Sequence, residues 1–186
     1  MQGLLSLSRA IDALNERVGQ AAKWLVLVCA LVSSGNAMFR YVFNNSSNAW
    51  LELQWYLFGG VFLLCAGYAL LHNEHIRIDV VASRWSARTR AKIDIFGTLV
   101  FLLPLTFLMI KLSLPVFMNA WNSGEVSANA GGLIRWPARL LIPVGVSLLL
   151  LQGISELIKR FAFLKGLIPD PNDKQGPHGV PLEVAK

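Results

Sequence analysis

The chain has 186 residues, of which 54% are hydrophobic and only 15% charged, with a net charge of +6 and a mean hydropathy of +0.50. Soluble domains carry about 25% charged residues, so this composition excludes an ordinary soluble protein and points to an integral membrane protein. The basic excess does not point to nucleic acid, because the Lys and Arg residues sit at the margins of apolar runs and lack interleaved stacking aromatics.

In residues 1–20, Leu4, Leu7, Ile11, Leu14 and Val18 recur at steps of three and four, with Arg9, Asp12, Glu16 and Arg17 between them. That spacing predicts an amphipathic helix lying on a membrane surface. The segment lacks a continuous apolar core and a small-residue cleavage site, so no cleavable signal is expected. A membrane domain over 21–160 follows. A bilayer core of ~30 Å needs about 20 mostly apolar residues per helix, because lipid cannot hydrogen-bond an unpaired backbone. Four runs meet that need, at about 24–43, 53–71, 95–117 and 140–157, with terminal Lys and Arg stems reaching back to the interface. Between the second and third runs, Val80, Val81, Trp85 and Ala91 alternate with Arg84, Arg88, Arg90 and Lys92, a pattern suited to resting on anionic phospholipid headgroups. After Leu167 the chain turns to Pro, Gly and Asp, and 161–186 reads as a largely disordered tail. No internal repeat is evident.

Cytoplasmic loops retain Lys and Arg. Only Arg40, Lys111, Arg135 and Arg139, of 17 such residues, fall on the side holding the first and third connections. Both termini are therefore expected in the cytoplasm. The fold class is all-α integral membrane: four transmembrane helices, an N-terminal amphipathic interfacial helix, and both ends inside.

Catalytic chemistry is thin, and no enzyme, cofactor or metal is indicated. Cys29 and Cys65 lie within spans and read as small apolar fillers. His72, Glu74 and His75 lack the spacing of known zinc helices and read as polar residues closing a span. Glu52 opens the second span beside Trp50, Gln54 and Trp55. A first-turn carboxylate is favoured by the helix dipole, and flanking Trp residues suit an interface belt. Alternatively, Glu52 meets a partner, with Arg40 or a residue of another subunit as counter-charge. Lys111 reads as a snorkelling residue or a partner contact. The outer loop joins the flexible Ser123–Ser127 and Asn129–Arg135 stretches to a Trp136-Pro137 helix entry, either as a tight connector or as one that also touches a partner.

The Arg40-Tyr41 pair, Asn44, Trp50 with Glu52, Phe58, Ala66-Gly67 and the His75-x-Arg77-x-Asp79 ending resemble the small, DctQ-like, four-helix membrane subunit of tripartite ATP-independent periplasmic (TRAP) transporters. The resemblance runs from about Trp24 to Arg160, and the Glu125 to Pro137 loop resembles a branch linked to oxo acids and aromatic acids. Many members carry two adjacent acids after the Trp, whereas here Glu52 is followed by Leu53 and Gln54. The resemblance implies a small permease subunit in the bacterial inner membrane. Its partners would be a large transport subunit, which holds the sodium and carboxylate sites, and a periplasmic substrate-binding protein. This subunit would brace the scaffold of the large one. Its interface with partners or lipid is expected at Arg40, Tyr41, Asn44, Trp50, Glu52, Gln54, Trp55, His75, Arg77, Asp79, Glu125, Arg135 and Trp136. A self-sufficient small transporter and a four-helix membrane enzyme are the competing classes.

Overall fold

The computed structural model describes residues 2–44, 47–74 and 85–171. The expected His75, Arg77 and Asp79 cluster, most of the basic connection and most of the tail lie outside the described residues. The chain is all-α, with helices α1 (Gln2–Ala22), α2 (Trp24–Phe43), α3 (Asn48–Leu64), α4 (Ala66–His72), α5 (Ala87–Gly97), α6 (Leu103–Ser123) and α7 (Trp136–Leu164). Several are stacked end to end. Cys65 only loosens the junction of α3 and α4, because its N–H still reaches Val61 O (3.0 Å) and Ala69 N reaches its carbonyl (2.8 Å). Between α5 and α6 lies one π-helical turn, Thr98–Leu102, in which the Leu103 N–H reaches back to Thr98 O. That wide turn immediately precedes Pro104, whose ring would otherwise press on the carbonyl four residues back. Four rods result, Gln2–Phe43, Asn48–His72, Ala87–Ser123 and Trp136–Leu164, each long and apolar enough to cross a membrane.

Helix ends are set by local chemistry. Ser47 and Ser86 cap α3 and α5, their hydroxyls accepting from Ala49 N (3.2 Å) and Thr89 N (3.2 Å). At the far end of α6, Gly124 takes φ +61°, so its N–H reaches Trp121 O and that of Glu125 reaches Ala120 O, a paired closure that favours glycine.

Helix α7 is the spine. In its most apolar stretch 44% of residues are buried, against 6–11% in the other three rods, so α7 is surrounded and its neighbours turn most of their surface outward. The interior it organises is small and polar. Ser8, Asn15, Thr106, Gln152 and Ser155 are the largest fully buried side chains, while Leu105, Phe107 and Leu112 of α6 point out. This inside-out pattern is expected where lipid is as apolar as leucine and helices associate through close backbone approach and interhelical hydrogen bonds. Gly145 permits one such approach, since a Cβ there would stand 2.6 Å from Leu63 O.

Helix α1 meets α7 through Ser8, Asp12 and Asn15, and α4 through Asn15, Glu16 and Gly19. Asn15 Nδ2 donates to Gln152 Oε1 (3.0 Å), Gln152 Nε2 donates to Asp12 Oδ1 (2.8 Å), and Ser155 Oγ donates to the same Asp12 oxygen (2.7 Å). Lys159 pairs with Asp12 (3.2 Å) and Glu156, and buried Arg160 lies 3.2 Å from Asp94 of α5. Leu4, Leu7 and Leu14 face outward, but Ile11 of the same expected stripe turns inward with Ser8 and Asn15. The stripe is split because the polar face of α1, not its leucines, meets the bundle.

Candidate functional site

The α2–α3 and α6–α7 connections meet at one end of the bundle. There α3 presents Asn48, Glu52 and Tyr56, spaced at i, i+4 and i+8 and therefore on one face of the helix. All three grip the loop between α6 and α7. Asn48 Nδ2 donates to Ala130 O (3.0 Å) and the Tyr56 hydroxyl donates to Ile134 O (3.3 Å). Between them Glu52, only 5% exposed, receives three donors: the Ser127 hydroxyl, Asn129 Nδ2 (2.8 Å) and the backbone N–H of Leu133 (2.7 Å). A buried carboxylate satisfied in this way is stable without a cationic partner.

The loop is shaped to deliver those donors. Val126 and Ile134 form an antiparallel bridge, with Ser127 N donating to Leu133 O and Arg135 N to Glu125 O (both 2.9 Å). Gly132 lies so close that a Cβ would stand 2.5 Å from Ser127 Cβ and 2.9 Å from Glu52 Oε1. At the loop's base Glu125 takes a two-pronged contact from Arg139, with both N–O distances 2.7 Å, and a longer one from Arg135 (3.4 Å). Trp136 packs edge-to-face on Trp121, with centroids 4.6 Å apart, tying the start of α7 to the end of α6.

Two expectations from the sequence change here. Glu52 is not in the first turn of its helix, because Ser47 caps α3 several residues earlier and the carboxylate is aimed across at the loop instead of at its own helix's amides. Nor is Arg40 its counter-charge, since the partners of Glu52 are the three loop donors and no ion pair joins it to Arg40 among the described residues. Arg40 instead borders an open groove between α2 and α3, lined by Ser33, Asn36, Ala37 and Gln54 and reaching Tyr41 and Asn44 at its rim. Tyr41 is 90% exposed, and Trp50 and Trp55 also point outward. Asn44 closes α2 in the left-handed conformation, φ 49°. Asn36 is buried, and its Oδ1 has no hydrogen-bond partner.

The structure thus gathers Glu52, Glu125, Arg135 and Trp136 into one clamp and Arg40, Tyr41, Asn44 and Gln54 into a neighbouring groove, with Trp50 and Trp55 on outward surface. Asn48, Tyr56 and Asn36 were not singled out from the sequence. The i, i+4, i+8 spacing of Asn48, Glu52 and Tyr56 is the signal that could have found two of them. His72 Nε2 lies 2.7 Å from Glu16 Oε2, so it is engaged by α1. Among the described residues no three His, Cys, Asp or Glu side chains converge as metal ligands would. The arrangement offers hydrogen bonding and shape, and no nucleophile poised beside a base.

No curated protein and no solved structure matches this chain. A family model, described as the DctQ component of tripartite ATP-independent periplasmic transporters, matches residues 29–163, from within α2 to the last turn of α7 and including both the clamp and the groove. Four helical rods long and apolar enough to cross a membrane, and that match over most of the sequence, make the chain a multi-pass membrane protein that belongs to the DctQ family, the small permease component of TRAP transporters.

Proposed function

We propose that the chain is the small permease subunit of a sodium-coupled, binding-protein-dependent transporter for organic carboxylates, and that it braces the scaffold of the large transport subunit. The observation that carries this reading is the uneven burial of the four rods: α7 is enclosed, whereas the other three leave large apolar faces open. A bundle packed so one-sidedly suits a part that enlarges a partner's membrane footprint, giving a moving domain a fixed frame to work against. Its buried Ser8, Asn15, Gln152 and Ser155 lie in one network that ties α1 to α7, a role in rigidity and not in ion passage.

In this reading the protein sits in the bacterial inner membrane with both termini cytoplasmic. The Asp12, Lys159 and Arg160 end faces the cytoplasm and the Glu52 clamp faces the periplasm, near the arriving substrate-binding protein. Helix α1 lies at the cytoplasmic surface with Leu4, Leu7 and Leu14 toward lipid. The interface residues expected from the sequence divide between two tasks, Glu52, Glu125, Arg135 and Trp136 shaping the outer loop and Arg40, Tyr41 and Gln54 facing the partner.

Uptake of radiolabelled carboxylate into proteoliposomes tests this, with this chain, the large subunit or both, and with a sodium gradient and binding protein present. Uptake only with both is expected. Equal uptake by the large subunit alone would remove the bracing role, and uptake by this chain alone would make it a transporter in its own right.

A further inference from the structure

Helix α2 carries two polar groups that nothing in the bundle uses. Asn36 is 9% exposed, and its side-chain oxygen is buried without a donor. Arg40, one turn further along the same face, makes no ion pair among the described residues, and the nearest carboxylate in sequence on α3, Glu52, is bonded to the loop instead. Both line the groove between α2 and α3, whose floor is kept low by Ser33 and Ala37 and whose far wall includes Gln54. A buried amide oxygen without a donor is costly in an apolar setting, and Arg40, in the last turn of α2, sits at the membrane margin where a guanidinium without an ion pair is free to take a counter-charge.

From these observations we infer that the α2–α3 groove is the seat of one transmembrane helix of the large subunit. That helix would bring a carboxylate opposite Arg40 and, one turn deeper, a hydroxyl or amide donor opposite Asn36. This deepens the proposed function and rests on it. Three features select a helix over a lipid. Asn36 lies seven residues before the end of α2 at Phe43, about 10 Å deep at 1.5 Å per residue, below the level at which a phospholipid has polar atoms to offer. A helix presents side chains at i and i+4 with the same spacing as Asn36 and Arg40, so both are met by one partner. The Ser33-x-x-x-Ala37 pair lets a second backbone approach closely, a property that flexible acyl chains do not need.

The test uses the full complex in native membranes, with p-benzoylphenylalanine placed at Ala37 in the groove or at Leu112 on the outward face of α6, followed by pull-down and mass analysis of adducts. The groove assignment predicts a large-subunit adduct at Ala37 and none at Leu112. Arg40→Glu is expected to lower recovery of the large subunit about tenfold or more, the scale for breaking a desolvated charge pair. Asn36→Leu is expected to lower recovery while leaving the isolated chain's thermal stability unchanged or raised, since Asn36 Oδ1 has no internal partner to lose. A merely structural Asn36 would lower that stability instead. A lipid adduct at Ala37, or a large-subunit adduct at Leu112 alone, overturns the groove assignment and leaves the subunit role standing. Failure of the wild-type chain to recover the large subunit at all overturns both.

Discussion

The backbone N–H of Leu133 donates to Glu52 Oε2 across 2.7 Å, joining residues 81 apart in sequence and fastening the α6–α7 loop to the second turn of α3. Around this bond that end of the bundle is organised, since the other carboxylate oxygen takes the Ser127 hydroxyl and the Asn129 amide. All three partners donate as placed, an arrangement that a carboxylate accepts without any of them turning.

An amide at position 52 reproduces that pattern only if its partners turn and the charge is given up. The Gln of Glu52→Gln can keep the Leu133 N–H only by turning its NH2 toward Ser127 and Asn129, which must then both rotate to accept, and it loses the charge that strengthens all three bonds. Hydrogen bonds to charged groups lie at the strong end of the range, so amides in 126–134 should exchange about tenfold faster or more in hydrogen–deuterium exchange. The α1–α7 contacts at the other end should keep their protection. An unchanged loop would show that the clamp contributes nothing to its order.

The same clamp is tested from the opposite side by Gly132→Ala. Its new methyl would collide with Ser127 and with the carboxylate, so the substitution should loosen the loop much as Glu52→Gln does. Gly97→Ala is the control. Nothing lies within 4 Å of a Cβ there, and helix propensity predicts a gain of about 0.5–1 kcal/mol in thermal unfolding of the detergent-solubilised chain. Equal behaviour of the two variants would refute the close approach at Gly132.

Much of the fold is legible in the sequence because a lipid-crossing helix announces itself by the length of its apolar run. The interior is not. In a water-soluble protein the core would be the leucines, but here Ser8, Asn15, Gln152 and Ser155 are inside and the leucines of α1 and α6 outside, an order that hydropathy ranks backwards. Glu52, Glu125, Arg135 and Trp136 stand out in the sequence as polar or aromatic residues at span margins, yet their association depends on a loop 75–81 residues away from Glu52. No local pattern encodes that separation. Nor could spacing alone show that Arg40 would lose Glu52 to uncharged donors.

Asn15 and Gln152 should behave as one unit. Asn15→Leu strands the Gln152 carbonyl oxygen in a buried site, at a cost of about 1–3 kcal/mol, and Gln152→Leu likewise frees Asp12 from one of its donors. A double-mutant cycle in detergent should give a coupling of about 0.6–1.7 kcal/mol, the range for interhelical hydrogen bonds in membrane bundles. A coupling of zero would mean that α1 is held by its other contacts alone.

Two glycines of α7 should respond differently to the same change, because what they touch differs. A methyl at Gly145 would stand 2.6 Å from the carbonyl oxygen of Leu63 and 2.8 Å from its carbonyl carbon, so only separation of α3 from α7 relieves it. At Gly153 the nearest atom is the Cδ2 of Leu102, at 2.7 Å, the free end of a side chain that can rotate away. Gly145→Ala should therefore cost about 1–3 kcal/mol, the range for overpacking, and Leu63→Ala should not restore it because the obstacle is backbone. Gly153→Ala should cost less, and adding Leu102→Ala should remove the steric part of that cost. Thermal unfolding of the four variants in one detergent decides the matter. Rescue of Gly145→Ala by Leu63→Ala would show that side chains, and not the backbones themselves, set the spacing between α3 and the central helix.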